Sequence, residues 1–327
     1  MRYVIIGAGA VGGTIAARLH LAGSRVAVVA RGEHGAVIAR DGLAYADPTG
    51  ACVVRLTVHP QAAQVDWAPG DVAVLATKSQ DSAAIIDDLA ANAPSVPVFC
   101  AQNGVANERV AAARFADVYG ICVMLPAEHL RAGAVTAYSG PVPGILDLGR
   151  CPEGTDELAV AVVADLRAAG FSSQPESAIM RWKFRKLIMN LANAGQAICG
   201  PDDPDLPALA ARAAAEGEAT LTAAGIAVAT RAEDAVRRAE LITPRLVAGV
   251  ERGGGSTWQS LTRGTAVETP FLNGEIVALG RAHGVPTPVN QLLLDVVADL
   301  ADRGERPGGV SAAELLTRLD AAPPAEA

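Results

Sequence analysis

The chain has 327 residues, 50% hydrophobic and 19% charged, with a formal charge of -8. That length and apolar share suit two packed domains and exclude a disordered or fibrous protein. The negative balance, with no basic block of five to eight residues, argues against general nucleic-acid or anionic-membrane binding.

In chain order, "RYVIIG" opens as a strand and 11–22 as a helical window. "RVAVVA", "DVAVLAT", "VPVFCAQ" and "VYGICVM" then alternate with Ala-rich helical stretches. Short strands apolar on both faces, separated by helices, predict a parallel sheet covered on both sides: an α/β, doubly wound Rossmann-type domain. Segments 44–59 and 133–149 alternate around turn residues and read as hairpins added to that sheet. From residue 177 strand signals nearly vanish and helical periodicity takes over, with Ser177 as the expected N-cap of the opening helix. The expected division is therefore 1–175 for the sheet domain and 176–316 for an all-helical C-terminal domain. A turn at "ERPGG" leads into one last short helix, and 317–327 is expected to be a flexible tail.

Cys52, Cys100, Cys122, Cys151 and Cys199 are odd in number and contain no C-x-x-C pair. Neither a disulfide framework nor a zinc site is indicated, and a reducing cytoplasm is the expected compartment. No run reaches the roughly 18 apolar residues of a membrane span, and the N-terminal run is too short for a signal peptide. The five histidines, His129 and His283 among them, show no ligand spacing, and no metal is expected. Apolar helix faces in the second half leave a homodimer open.

"GAGAVGG" places Gly7, Gly9 and Gly12, with Ala10 and Val11 between the last two, directly after a strand and at the opening of a helix. This spacing serves a tight turn, close backbone approach to a pyrophosphate and tight helix–strand contact. The helix start then offers N–H groups to the phosphates. The second strand ends at Arg31, where an acidic residue would bind the ribose hydroxyls of NAD. An arginine there suits a 2'-phosphate, so NADPH is expected; the plainer alternative is a solvated arginine after a strand. One charge-assisted bond is worth about 1.5–3 kcal/mol. Lys78 in "LATKSQD" and Asn103 in "CAQNGVANE" follow later strands, at the edge where such sheets bind ligands, although Asn-Gly is also an ordinary turn dipeptide.

In "MRWKFRKLIMNLANAG", Lys186, Asn190 and Asn193 fall along one helical face. They are either the wet side of an amphipathic helix or a polar row aimed at a ligand. Together with "GAGAVGG", Arg31, "TKSQD", "QNG", "KLIMN", and Ser256 followed twelve residues later by Glu268 before "LNG", this order resembles the ketopantoate reductase (2-dehydropantoate 2-reductase) family over nearly the whole chain. The resemblance implies NADPH-dependent reduction of a small 2-oxo acid, by default 2-dehydropantoate to pantoate, in a cleft between the domains. By the same resemblance Lys186 is the general acid and Glu268 bonds the developing hydroxyl and orients that lysine. Asn103 and Asn190 line the substrate site, and Ser256 holds the substrate carboxylate. The chemistry is coherent on its own terms, because hydride addition builds negative charge on a ketone oxygen and a positioned ammonium supplies both stabilisation and a proton.

Four positions depart from the family pattern: Gly253 in place of an asparagine, Ser260 and Pro270 in place of aspartates, and Ala194 where a second helix amide is usual. Asn193 stands next to that last position. Trp258, beside Ser256, is either a packing residue or one that reshapes the pocket. The alternatives carried forward are a related reductase or dehydrogenase for another oxo or hydroxy acid or an imine, and a non-catalytic NADPH-binding sensor.

Overall fold

A computed structural model of the chain describes residues 1–321. The first half runs β1 (Arg2–Ile6), α1 (Ala10–Leu21), β2 (Arg25–Val29), α2 (Gly32–Asp41), β3 (Leu43–Asp47), β4 (Gly50–Val54), β5 (Thr57–His59), β6 (Asp71–Leu75), α3 (Ser82–Asn92), β7 (Val98–Cys100), α4 (Ala106–Ala112) and β8 (Val118–Met124). It continues through β9 (Ala127–Glu128), β10 (Ala134–Ala137), β11 (Ser139–Pro141), β12 (Ile145–Arg150) and α5 (Glu157–Ala168). Seven strands form the main sheet in the order β5-β2-β1-β6-β7-β8-β12. All neighbours are parallel except β12, which runs antiparallel to β8. The strand order reverses between β1 and β6, the switch point at which open α/β sheets bind ligands.

The strands are apolar throughout because both faces are covered. Tyr3 and Ile5 pack with Ile15 and Leu19 of α1 and Val162 and Leu166 of α5. The alternate residues Val4 and Ile6 pack on the other face with Ile86 and Leu89 of α3. Register then decides where the loops emerge: Ile6 pairs with both Val29 and Leu75, and Leu75 with Cys100. Four strands thus end level, and the loops carrying Gly7, Arg31, Lys78 and Asn103 leave from one edge of the sheet.

The remaining elements are α6 (Ile179–Asn190), α7 (Ala192–Cys199), α8 (Leu206–Ala223), α9 (Arg231–Arg238), β13 (Ile242–Pro244), α10 (Ser256–Thr262), α11 (Asn273–His283), α12 (Pro288–Asp302) and α13 (Ala312–Ala321). The chain divides into two compact units, residues 1–183 with 230–252, and 184–229 with 253 onward. The division falls inside α6, and α9 and β13 belong to the first unit. In the second, α7 packs on α8, α10 and α12. A buried amide network fastens its centre: Asn273 Nδ2 donates to the Leu191 carbonyl at 3.2 Å and to Asn290 Oδ1 at 2.9 Å, and Asn290 Nδ2 donates to Glu216.

Several expectations are corrected. Residues 43–54 do form an antiparallel hairpin, but it builds a separate sheet, β4-β3-β10-β9, rather than extending the main one. The strands within 133–149 do not pair as a hairpin: β10 lies parallel to β3, β11 pairs with β13, and β12 completes the main sheet. The alternation was real in β3 and β10, which bury every second residue, whereas β12 is buried on both faces; alternation reports a half-buried strand and not its partner. Ser177 lies in the turn before α6, and there the Glu176 carboxylate accepts the Ala178 N–H at 2.9 Å. Of the expected tail, 317–321 belongs to α13, whereas 322–327 lies outside the described residues. Among the described residues no helix is long and apolar enough to cross a membrane.

Candidate active site

The three glycines of the first loop are each explained by what a side chain would meet. Gly7 has φ +98°, and a Cβ there would come within 2.9 Å of the Ala76 backbone; only glycine adopts that turn without strain. On Gly12 a Cβ would overlap the Gly7 carbonyl oxygen and meet Ala76, whereas at Gly9 it would meet nothing within 4 Å. The first and third glycines therefore close the strand–turn–helix joint, and the second keeps an open space above it. The adjoining helix α1, which begins at Ala10 and Val11, has no side-chain cap and no acidic residue in its first turn. Its first N–H groups suit a pyrophosphate, so the residues present fit a dinucleotide.

Arg31 is 74% exposed and pairs with Asp81 at 3.0 Å. An exposed pair of this kind is worth about 1 kcal/mol at most. His34, not singled out in the sequence, braces the glycine loop: its Nε2 lies 2.7 Å from the Ala8 carbonyl, and Gly133 N–H donates to its Nδ1 at 2.9 Å. Because Gly133 can only donate, Nδ1 is the bare nitrogen, Nε2 carries the hydrogen, and the ring donates to Ala8.

Asn103 sits on a loop fastened by side-chain hydrogen bonds. Asn107 Nδ2 donates to the Asn103 carbonyl at 3.3 Å and to Ser79, while Gln102 Nε2 donates to the Thr77 carbonyl and to Ser82. Beneath it lies a buried ion pair that sequence reasoning missed. Lys183 Nζ is 2.5 Å from Glu108, their side chains 2% and 0% exposed, and the ammonium also donates to the Gln102 and Ile121 carbonyls at 2.9 and 3.3 Å. Burial, and then the Glu108 charge, push the Cys151 thiol up to about 11 and Cys100 well above the ordinary thiol range. Both thiols stay protonated at neutral pH and are inert as nucleophiles.

The other predicted site residues all lie on the second unit. Lys186 and Asn190 are one turn apart on α6, Asn193 is on α7, Ser256 opens α10, and buried Glu268 precedes the short turn Thr269–Phe271. Asn193 Nδ2 reaches Ser256 Oγ at 3.4 Å, joining two residues 63 positions apart. Ala194 is buried, so at this step of the helix the amide that meets Ser256 is Asn193. Of the two lysines on α6, Lys183 is sealed against Glu108, whereas Lys186 is partly exposed. Ser260 is fully buried and donates to the Ser256 carbonyl at 3.0 Å, so this departure is a backbone brace. Trp258 packs against Gly254, where a Cβ would come within 2.7 Å of its ring.

The strand order and glycine cradle define a dinucleotide-binding domain of the oxidoreductase type. Comparison with known proteins agrees in both halves: the family description "Ketopantoate reductase PanE/ApbA" matches residues 3–152, and its C-terminal counterpart matches 178–301. A 2-dehydropantoate 2-reductase of Halobacterium salinarum is 27% identical over 317 residues, covering 91% of this chain and 98% of that one. The crystal structure of a PanE/ApbA family ketopantoate reductase from Ralstonia eutropha superposes with TM-score 0.77 at 27% identity, covering 93% of this chain and 99% of the other. D-Mandelate dehydrogenase, solved with NADH and anilino(oxo)acetate, shares the fold with TM-score 0.79 at 20% identity, covering 93% and 99%. The chain belongs to the ketopantoate reductase family, oxidoreductases acting on a CH–OH group with a nicotinamide cofactor.

Proposed function

We propose that the protein reduces a small 2-oxo acid to the 2-hydroxy acid with NADPH, 2-dehydropantoate to pantoate being the default reaction. The observation that carries this reading is the contrast on α6: Lys183 is sealed in a buried ion pair with Glu108, whereas Lys186 keeps the partial exposure that proton donation to a bound substrate requires. In this reading the glycine loop and the first turn of α1 hold the pyrophosphate, Arg31 the 2'-phosphate, and Lys78 and Asn103 the remainder of the cofactor. When bound, the reduced nicotinamide supplies the hydride. Ser256 and Asn193 hold the substrate carboxylate, and Asn190 lines the site. Lys186 gives its Nζ proton to the ketone oxygen as negative charge builds there, and Glu268 bonds the new hydroxyl and orients the ammonium.

A second reading is favoured by Gly253, Pro270 and Ala194, which lack the polar side chains usual in the family: the same machinery acts on a bulkier or less polar oxo acid. A panel of 2-oxo acids, with and without amines and with NADPH or NADH, separates the readings by loss of reduced-nicotinamide absorbance. The default predicts fastest turnover of 2-dehydropantoate and a ten- to hundredfold preference for NADPH, the worth of one charge-assisted phosphate bond. Faster turnover of another acid assigns the second reading, and equal use of NADH removes Arg31 from its role.

A further inference from the structure

We infer that Gln196 is a positioning residue of the oxo-acid site, holding the segment before Ser256 so that its hydroxyl and the Asn193 amide face the substrate carboxylate together. This rests on the carboxylate-holding role of Ser256 in the proposed function. Gln196 follows Asn193 by three residues on α7, so the two amides share a face. The Gly255 N–H donates to Gln196 Oε1 at 2.7 Å. Since a backbone N–H can only donate, the facing atom is the amide oxygen, and the side chain's orientation is fixed with its NH2 turned from Gly255.

The fit around Gly255 leaves no slack. A Cβ there would sit 2.8 Å from Asn193 Oδ1 and 2.9 Å from Gln196 Oε1, closer than side-chain carbons pack, so any other residue would push the two amides off the segment. The rest of the segment is also fastened: Gln259 Nε2 donates to the Gly254 carbonyl at 3.1 Å, and Ser260 Oγ donates to that of Ser256 at 3.0 Å. Ser256 Oγ accepts a long 3.4 Å bond from Asn193, which leaves its own hydrogen to donate to an anion. Gln196 is thus the side chain of α7 that sets where this hydroxyl stands.

The test compares Gln196→Ala with Gln196→Glu. The alanine variant loses the bond to Gly255 and is expected to raise KM for the oxo acid about tenfold, with kcat changed less than about threefold and NADPH affinity retained. The glutamate variant keeps an oxygen facing the Gly255 N–H, and so keeps its melting temperature, but sets a negative charge one residue from Ser256. Its KM is expected to rise about a hundredfold. Calorimetric titration with oxamate, an unreducible mimic of a 2-oxo acid, in the presence of NADP+ reads the same site without turnover. Oxamate binding that weakens in both variants, with NADP+ binding unchanged, supports the inference even if the wild type reduces none of the acids tried, a result that would count against the proposed function alone. Wild-type KM and oxamate affinity in both variants, losses that merely follow melting temperature, or no oxamate binding by the wild type would overturn it.

Discussion

At the scale of single residues, the glycine loop separates two demands that sequence spacing merges. Gly12 is required by the protein's own packing, because a Cβ would collide with the Gly7 carbonyl oxygen, whereas Gly9 faces open space. Gly12→Ala should therefore cost several kcal/mol of stability through overpacking against backbone, about 3 kcal/mol or more. Gly9→Val should leave the melting temperature nearly unchanged while weakening NADPH binding more than about tenfold by filling the pyrophosphate's approach. Thermal melts and fluorescence titration of both variants check the contrast; equal loss of stability in the two would contradict it. Where the glycines and Arg31 stand in the fold was legible because each has a fixed offset from a strand or helix, whereas the roles proposed for Arg31, Lys186 and Ser256 rest on the family resemblance. His34, Glu108, Lys183 and Gln196 were not legible, since each acts on backbone or on a partner far away in sequence.

At the scale of elements, the Lys183–Glu108 pair ties α6 to α4 and, through the Gln102 and Ile121 carbonyls, to the loop after β7 and to β8. Among the described residues both Glu108 oxygens are buried with no hydrogen-bond partner beyond this ion pair, so the lysine is the group that compensates the charge. Lys183→Met should destabilise the fold by about 3–5 kcal/mol, the cost of an uncompensated buried carboxylate. Lys183→Met with Glu108→Gln should recover most of that loss, as a denaturant-unfolding cycle would show; an additive cycle would mean that the two groups do not interact. The sheet's strands were readable element by element, because burial on both faces leaves continuous Val/Ile runs. Pairing was not: β10, β11 and β12 have hairpin-like turns between them, yet they distribute over three sheets. Local alternation is set by the pleat, and partnership by distant chain.

At the scale of the whole molecule, an acidic chain of net charge -8 is proposed to bind two anions, a dinucleotide phosphate and an oxo acid. The overall field opposes both, so local groups must supply the attraction: Arg31, Lys78 and the α1 start on the first unit, Lys186 and the Ser256–Asn193 pair on the second. The sequence showed two kinds of architecture in succession, but not that residues 230–252 return to the first unit, because α9 is helical like its neighbours in sequence. The proposed role of Lys186 as the acid of a nicotinamide-dependent reduction is tested by kcat/KM for the best oxo acid in Lys186→Ala, with NADPH affinity measured alongside. A fall of about 10²- to 10⁴-fold is expected, with cofactor binding intact. Reduction at the wild-type rate by that variant would contradict it.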